Sequence, residues 1–176
     1  MNMLIREVDR HSVADFGRCG NSFAVSSKLV LRVENGAIRY SIVDVPPYTK
    51  QYQEEFDLEF YLQDPDRAIF CAYVDEELAG EIRLRKHWNG YVYIDSVAVD
   101  SNYRRQGVGS SLIERAVEWA KAKELPGIML ETQDINVPAC MLYEKCGFVL
   151  GGFDLFLYWN SPDSRDEIAL YWYLMF

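Results

Sequence analysis

The sequence predicts one α/β (α+β) domain over residues 1–176, built on a central mixed, mostly antiparallel sheet flanked by helices. Three observations carry this. A chain of 176 residues has the length of one ordinary domain. Its first half holds apolar runs of strand length separated by short turn signals, the pattern of successive hairpins. Its second half changes period, with a strand, a glycine loop, an amphipathic helix and a further strand in succession.

Each element follows from its residues. Residues 9–24, rich in Gly, Ser and polar groups, read as loop or weak helix. Lys28–Val33 and Arg39–Val45 read as strands joined at Asn35-Gly36, since Asn-Gly between apolar runs is a strong hairpin signal. Pro46-Pro47 is expected to stop the second strand by removing ladder donors. Residues 51–63 predict a helix with Tyr52, Phe56 and Phe60 on one face. Between Gln51 and Asp66 there are six acids (Glu54, Glu55, Asp57, Glu59, Asp64 and Asp66) and no Lys or Arg. They read either as a solvated face or as an acidic wall beside a cleft for a cation.

Ala68–Val74 and Leu78–Arg85 form a long hairpin, and Asn89-Gly90 marks the next turn. Tyr91–Val99 is apolar on both faces apart from Asp95, as a central strand should be. Leu112, Ile113, Ala116, Val117 and Ala120 are spaced as one helical stripe, ended by Pro126-Gly127. Ile128–Thr132 is a short strand. Asn136 caps a helix that ends at Gly147. Phe148–Trp159 and Glu167–Phe176 read as two closing antiparallel strands.

Composition narrows the function. The chain is 49% apolar and 26% charged, a globular profile. Its net charge of −9 argues against a nucleic-acid partner and suits a cationic one. No run reaches about 18 apolar residues and the start lacks a signal-peptide pattern, so neither a membrane nor secretion is expected. Four cysteines without a C-x-x-C pair read as free thiols in a reducing cytoplasm. With only His11 and His87, no metal site is expected.

The sharpest feature is Arg104-Arg105-Gln106-Gly107-Val108-Gly109, between a central strand and an amphipathic helix. The glycines permit tight turning and close backbone approach. The first N–H groups of the following helix have no intrahelical acceptor and favour an anion, with Ser110 adding a hydroxyl. The loop is neither a Walker A loop, lacking Gly-Lys-Ser/Thr, nor a dinucleotide fingerprint, since position 112 is Leu.

These residues resemble the pyrophosphate loop of the GNAT family of N-acetyltransferases. Tyr93–Val99 resembles that family's central strand. The pattern of Asn136, Ala139, Tyr143, Glu144, Lys145, Gly147 and Phe148 resembles its second signature, so the likeness covers about residues 91–155. Trp88-Asn89, Glu118–Lys121, Leu130–Asp134, Tyr52–Glu55 and Trp172–Phe176 extend it to the streptothricin (nourseothricin) acetyltransferase branch, with nothing carried over for residues 1–40. The resemblance implies acetyl-CoA as cosubstrate, lying in a gap between the strands at 91–99 and 128–132. It implies backbone groups of Val97, Ala98 and Val99 on the pantetheine arm, residues Arg104–Ser110 on the pyrophosphate, and Asn136 on the far side of the arm. It places Tyr143 as the acid for the leaving thiolate.

For the amine side, Asp95 and Glu131 are the candidates, as bases or as orienting groups. A carboxylate in an apolar central strand is costly unless paired, and a cationic substrate would pair it. Tyr93 shares the Asp95 face, and Glu54 and Glu55 belong to the acidic stretch. Cys140 and Cys146 fit an apolar helix stripe rather than a nucleophile's setting. The expected activity is N-acetylation of the β-lysine amine of a streptothricin-type antibiotic, by direct transfer in a ternary complex. The alternatives are another small amine, a protein N-terminus, or a non-catalytic acyl-CoA-binding module. The aromatic C-terminal strand offers a surface for a homodimer.

Overall fold

The structure is a computed structural model that describes residues 2–52 and 56–176. It has the α/β class expected, with nine strands and three α-helices among the described residues and antiparallel pairing in each of its hairpins. The chain divides into two compact units.

The first unit holds the described residues of Met1–Asn21 and Tyr52–Ile128, with Phe176. Its strands are β1 (Met3–Glu7), β4 (Arg67–Val74), β5 (Glu77–Lys86) and β6 (Val92–Val99), adjacent in that order. The β4–β5 turn places Asp75 and Glu76 at φ 48° and 74°, the mirror-image geometry that two-residue hairpins need. Along β4, side chains alternate between two apolar layers. Ile69 and Cys71 pack with Val8 and Tyr61, while Phe70 and Ala72 take the opposite face. Helix α2 (Val108–Ala122) packs on β4, β5 and β6 through buried Leu112, Ile113, Ala116 and Ala120. Close approach requires Gly80. A Cβ there would lie 2.8 Å from Val108 Cγ1 and 3.0 Å from the Ala98 carbonyl oxygen.

Helix α1 (Leu58–Gln63) is shorter than the expected 51–63. Asp57 caps it, accepting from the Phe60 N–H at 3.2 Å, so Phe56 precedes the helix. The stripe of Tyr52, Phe56 and Phe60 is not its buried face. Phe60 is 53% exposed, and Tyr61 is buried instead.

The second unit holds Ser22–Gln51 and Met129–Met175. Strands β2 (Phe23–Glu34) and β3 (Ala37–Lys50) form a ribbon closed at Asn35 and Gly36, both at positive φ. Strand β3 runs through Pro46-Pro47 rather than stopping there. The register slips between Val25 and Ser27, so Val45, Pro46 and Pro47 fall in an irregularity where the missing ladder donors cost nothing. Lys50, at the end of β3, pairs with Glu167 at 2.5 Å and donates to the Asp163 carbonyl at 2.6 Å. Strand β7 (Gly127–Gln133) leads to α3 (Val137–Lys145), and β9 (Ala169–Met175) lies between β7 and β8 (Val149–Asp154) in the sheet. The strand expected over 148–159 ends at Asp154, whose side chain accepts from the Phe156 N–H at 2.7 Å and turns the chain. All four cysteines are free thiols. No helix among the described residues is long and apolar enough to cross a membrane.

Candidate active site

In the first unit, Arg105 and Gly107 both take positive φ, at 61° and 93°, and fold the loop over the start of α2. Gly107 is the N-cap residue and offers no side-chain cap, and the first turn carries no acid. The Ser111 N–H makes the first helical bond, to Gly107 O at 3.0 Å. By helix geometry the N–H groups of Val108, Gly109 and Ser110 therefore lack an intrahelical acceptor. A Cβ on Gly107 would meet nothing within 4 Å, so the loop is open on that side of the N-cap. Arg104 Nε is held to Val99 O at 3.1 Å and Gln106 Nε2 to Asn102 O at 2.7 Å, which fixes the loop's two flanks. This donor set, positive at a helix start and free of acids, fits a diphosphate.

Strand β6 carries Tyr93, Asp95, Val97, Ala98 and Val99. Its pairing with β5 slips between Arg83 and Leu84, leaving Asp95 at a bulge. The cationic partner that burial demands for Asp95 comes from the chain itself. Arg85 Nε lies 2.8 Å from one carboxylate oxygen, and the Tyr61 hydroxyl donates to the other at 2.5 Å. This corrects the expectation that a substrate cation supplies that partner. Tyr93 is stacked on His87, ring centroids 5.1 Å apart, with the Arg85 guanidinium 4.5 Å from its ring centre. Glu54 and Glu55 lie outside the described residues.

In the second unit, Asn136 caps α3 by accepting from the Ala139 N–H at 3.3 Å. That leaves its amide nitrogen as a donor. Tyr143 is 5% exposed, its ring set against Phe148 and Trp172. Burial pushes its hydroxyl well above the ordinary phenol range. Cys140 is fully buried and its thiol is pushed up to about 12, which disqualifies it as a nucleophile.

Glu131 on β7 is half-buried. Burial, reinforced by the Glu167 carboxylate, pushes its carboxyl from the ordinary 4.5 up to about 7. The Tyr158 hydroxyl donates to Glu131 Oε1 and accepts from Gln133 Nε2 at 3.0 Å. Sequence reasoning missed Tyr158, Gln133, Arg85 and Tyr61. The signal available for Gln133 was its two-residue spacing from Glu131, which puts both on one strand face.

Residues 37–148 match the acetyltransferase (GNAT) family. Streptothricin acetyltransferase A of Bacillus subtilis (strain 168) is 37% identical over 98% of this chain and 100% of its own length. A streptothricin acetyltransferase of Escherichia coli is 42% identical over 87% of this chain and 85% of its own. A crystal structure of a Bacillus anthracis str. Ames protein assigned as a streptothricin acetyltransferase, in complex with acetyl coenzyme A, superposes with a TM-score of 0.93. It is 44% identical and is covered over 99% of this chain and 100% of its own. The family match spans residues 37–148, which include the glycine loop at the start of α2 and the α3 helix that carries the buried Tyr143. The chain belongs to the acetyltransferase (GNAT) family and is an acetyl-CoA-dependent N-acetyltransferase.

Proposed function

We propose that the amine acetylated is the β-lysine amine of a streptothricin-type antibiotic, by direct transfer from acetyl-CoA in a ternary complex. The observation that carries the site assignment is Glu131, a half-buried carboxyl raised to about 7 on the same unit as the buried Tyr143 hydroxyl. The antibiotic is supported by near full-length likeness to proteins named streptothricin acetyltransferases.

Residues Arg104–Ser110 bind the diphosphate of the cosubstrate. Backbone groups of Val97, Ala98 and Val99, with the Asn136 amide, hold the pantetheine arm. The neutral amine attacks the thioester carbonyl carbon. The carbon–sulfur bond breaks, and Tyr143 donates to the departing sulfur. Glu131 takes the proton shed by the amine nitrogen. Asp95, tied to Arg85 and Tyr61, anchors β6 beside Tyr93 and orients rather than exchanges protons. No cysteine carries the acetyl group.

Thiol release from acetyl-CoA by purified protein tests this, with streptothricin, a polyamine and a peptide bearing a free N-terminus as competing amines. We expect kcat/KM for streptothricin to lead by at least about tenfold, some 1.4 kcal/mol of discrimination. We also expect intersecting initial-velocity lines rather than the parallel lines of a covalent intermediate. A polyamine or peptide in the lead overturns the substrate. Parallel lines overturn direct transfer.

A further inference from the structure

Five residues, Leu155–Trp159, follow β8 in a turn whose apolar side chains are mostly exposed. Leu155, Phe156, Leu157 and Trp159 are 48–69% exposed. Only Tyr158 turns inward. The segment is held in shape by its own backbone: Trp159 N–H donates to Phe156 O at 3.1 Å and Ser161 N–H to Tyr158 O at 2.8 Å. The Tyr158 hydroxyl bridges two side chains on one face of β7. It accepts from Gln133 Nε2, which directs its own proton towards Glu131 Oε1. Among the described residues, Tyr158 is the hydrogen-bond donor to this carboxylate.

We infer that Tyr158 is the positioning residue of Glu131, tying down one carboxylate oxygen and leaving the other for the substrate amine. This rests on the reading of Glu131 as the amine-side base. A carboxylate on a strand has three rotatable bonds, and a single fixed donor removes most of that freedom before substrate arrives. The donor also favours the charged form, opposing the burial that raises the carboxyl. The other ionisable groups facing Glu131 within its unit are Glu167, which Lys50 partly neutralises, and the hydroxyls of Tyr143 and Tyr171. None of these is a hydrogen-bond donor to it.

The test compares Tyr158→Phe with the parent in the full chain by two readouts. The first is the pH profile of kcat/KM. The second is a titration of ¹³C-labelled glutamate carboxyls by NMR without substrate, the Glu131 signal assigned with Glu131→Gln. We expect the Glu131 midpoint and the acid limb to rise together by about one pH unit. The activity loss should fall on kcat near pH 7 and largely recover near pH 9. Melting temperature and acetyl-CoA affinity should hold. Phe156→Ala, on the same turn, should shift neither midpoint nor limb. An unmoved midpoint in Tyr158→Phe overturns the inference and leaves the base assignment standing. Glu131→Gln with parental kcat/KM and an unmoved acid limb overturns the base assignment and the inference with it.

Discussion

In the proposed mechanism, burial both suits Tyr143 to the acid's place and limits it there. Taking the hydroxyl out of water holds it protonated at every working pH, so a donor is always present. The same shift makes it a weaker acid than an exposed phenol, suited to stabilising a thiolate more than to rapid proton release. Tyr143→Phe keeps the ring against Phe148 and Trp172 and deletes only that donor. We expect turnover to fall by about 10²-fold, the low end for general acids, with acetyl-CoA affinity unchanged by calorimetry. Glu131 makes a second, separable prediction. Its folded-state value is raised, so the native state binds this proton more tightly than the unfolded chain does. The stability this brings is complete below about 4.5 and is lost as pH rises through about 7. Above that, the fold carries a half-buried charge. Glu131→Gln carries none, so its melting temperature should gain on the parent by a few degrees between about pH 5 and pH 8. A constant gap across that range would mean the carboxylate is well solvated.

At the scale of elements, the start of α2 separates two uses of glycine. Gly80 is required for space, because a Cβ would drive α2 off β5. Gly107 is required for conformation, since its own Cβ would find room but its φ is 93°. Gly107→Ala should therefore cost about 1 kcal/mol of stability, read by denaturant melts, and weaken acetyl-CoA modestly. Gly107→Asp adds a charge against the diphosphate and should weaken acetyl-CoA by at least about tenfold by calorimetry. Equal affinities in the two variants would remove the loop from cofactor binding. Elements with local chemistry were legible: Asn35-Gly36 as a hairpin, Asn136 as a cap, the Leu112–Ala120 stripe as a buried helix face. Misread elements had local signals overruled by neighbours. Pro46-Pro47 sits where the β2–β3 register has already slipped, so its missing donors go unnoticed. Phe56 has helical spacing to Phe60, but Asp57 claims the Phe60 N–H and starts the helix after it. The aromatic run to Trp159 looks like a strand until the Asp154 side chain captures the next turn. Tyr158 was illegible for the same reason. Its partners stand 25 and 27 positions away, and nothing local marks it among neighbouring aromatics.

For the molecule as a whole, the question is how a net charge of −9 acts on a cationic substrate. The acids between Gln51 and Asp66 suggested a concentrated source, yet the described ones are locally engaged. Asp57 caps α1, and Glu59 lies 3.8 Å from Arg10. Asp64 pairs with Arg67 at 3.1 Å, and Asp66 lies 4.0 Å from Lys86 and 3.7 Å from Lys123. Exposed pairs like these contribute little stability, but each cancels most of its own far field. Any attraction from this stretch therefore falls to Glu54 and Glu55, which lie outside the described residues. Replacing both by Gln removes two of the nine net negative charges without adding bulk. Attraction felt equally by bound substrate and transition state appears in KM, not in kcat. We expect the double variant to raise KM for streptothricin about two- to fivefold at low ionic strength and to leave kcat within about twofold. Acetyl-CoA, being anionic, should bind equally well or slightly better. Salt at about 0.5 M shortens the screening length to a few ångströms and should bring the two proteins together. If kcat/KM for streptothricin is the same in both at low salt, the acidic stretch is a solvated face, and recognition of the amine rests on Glu131 and its surroundings alone.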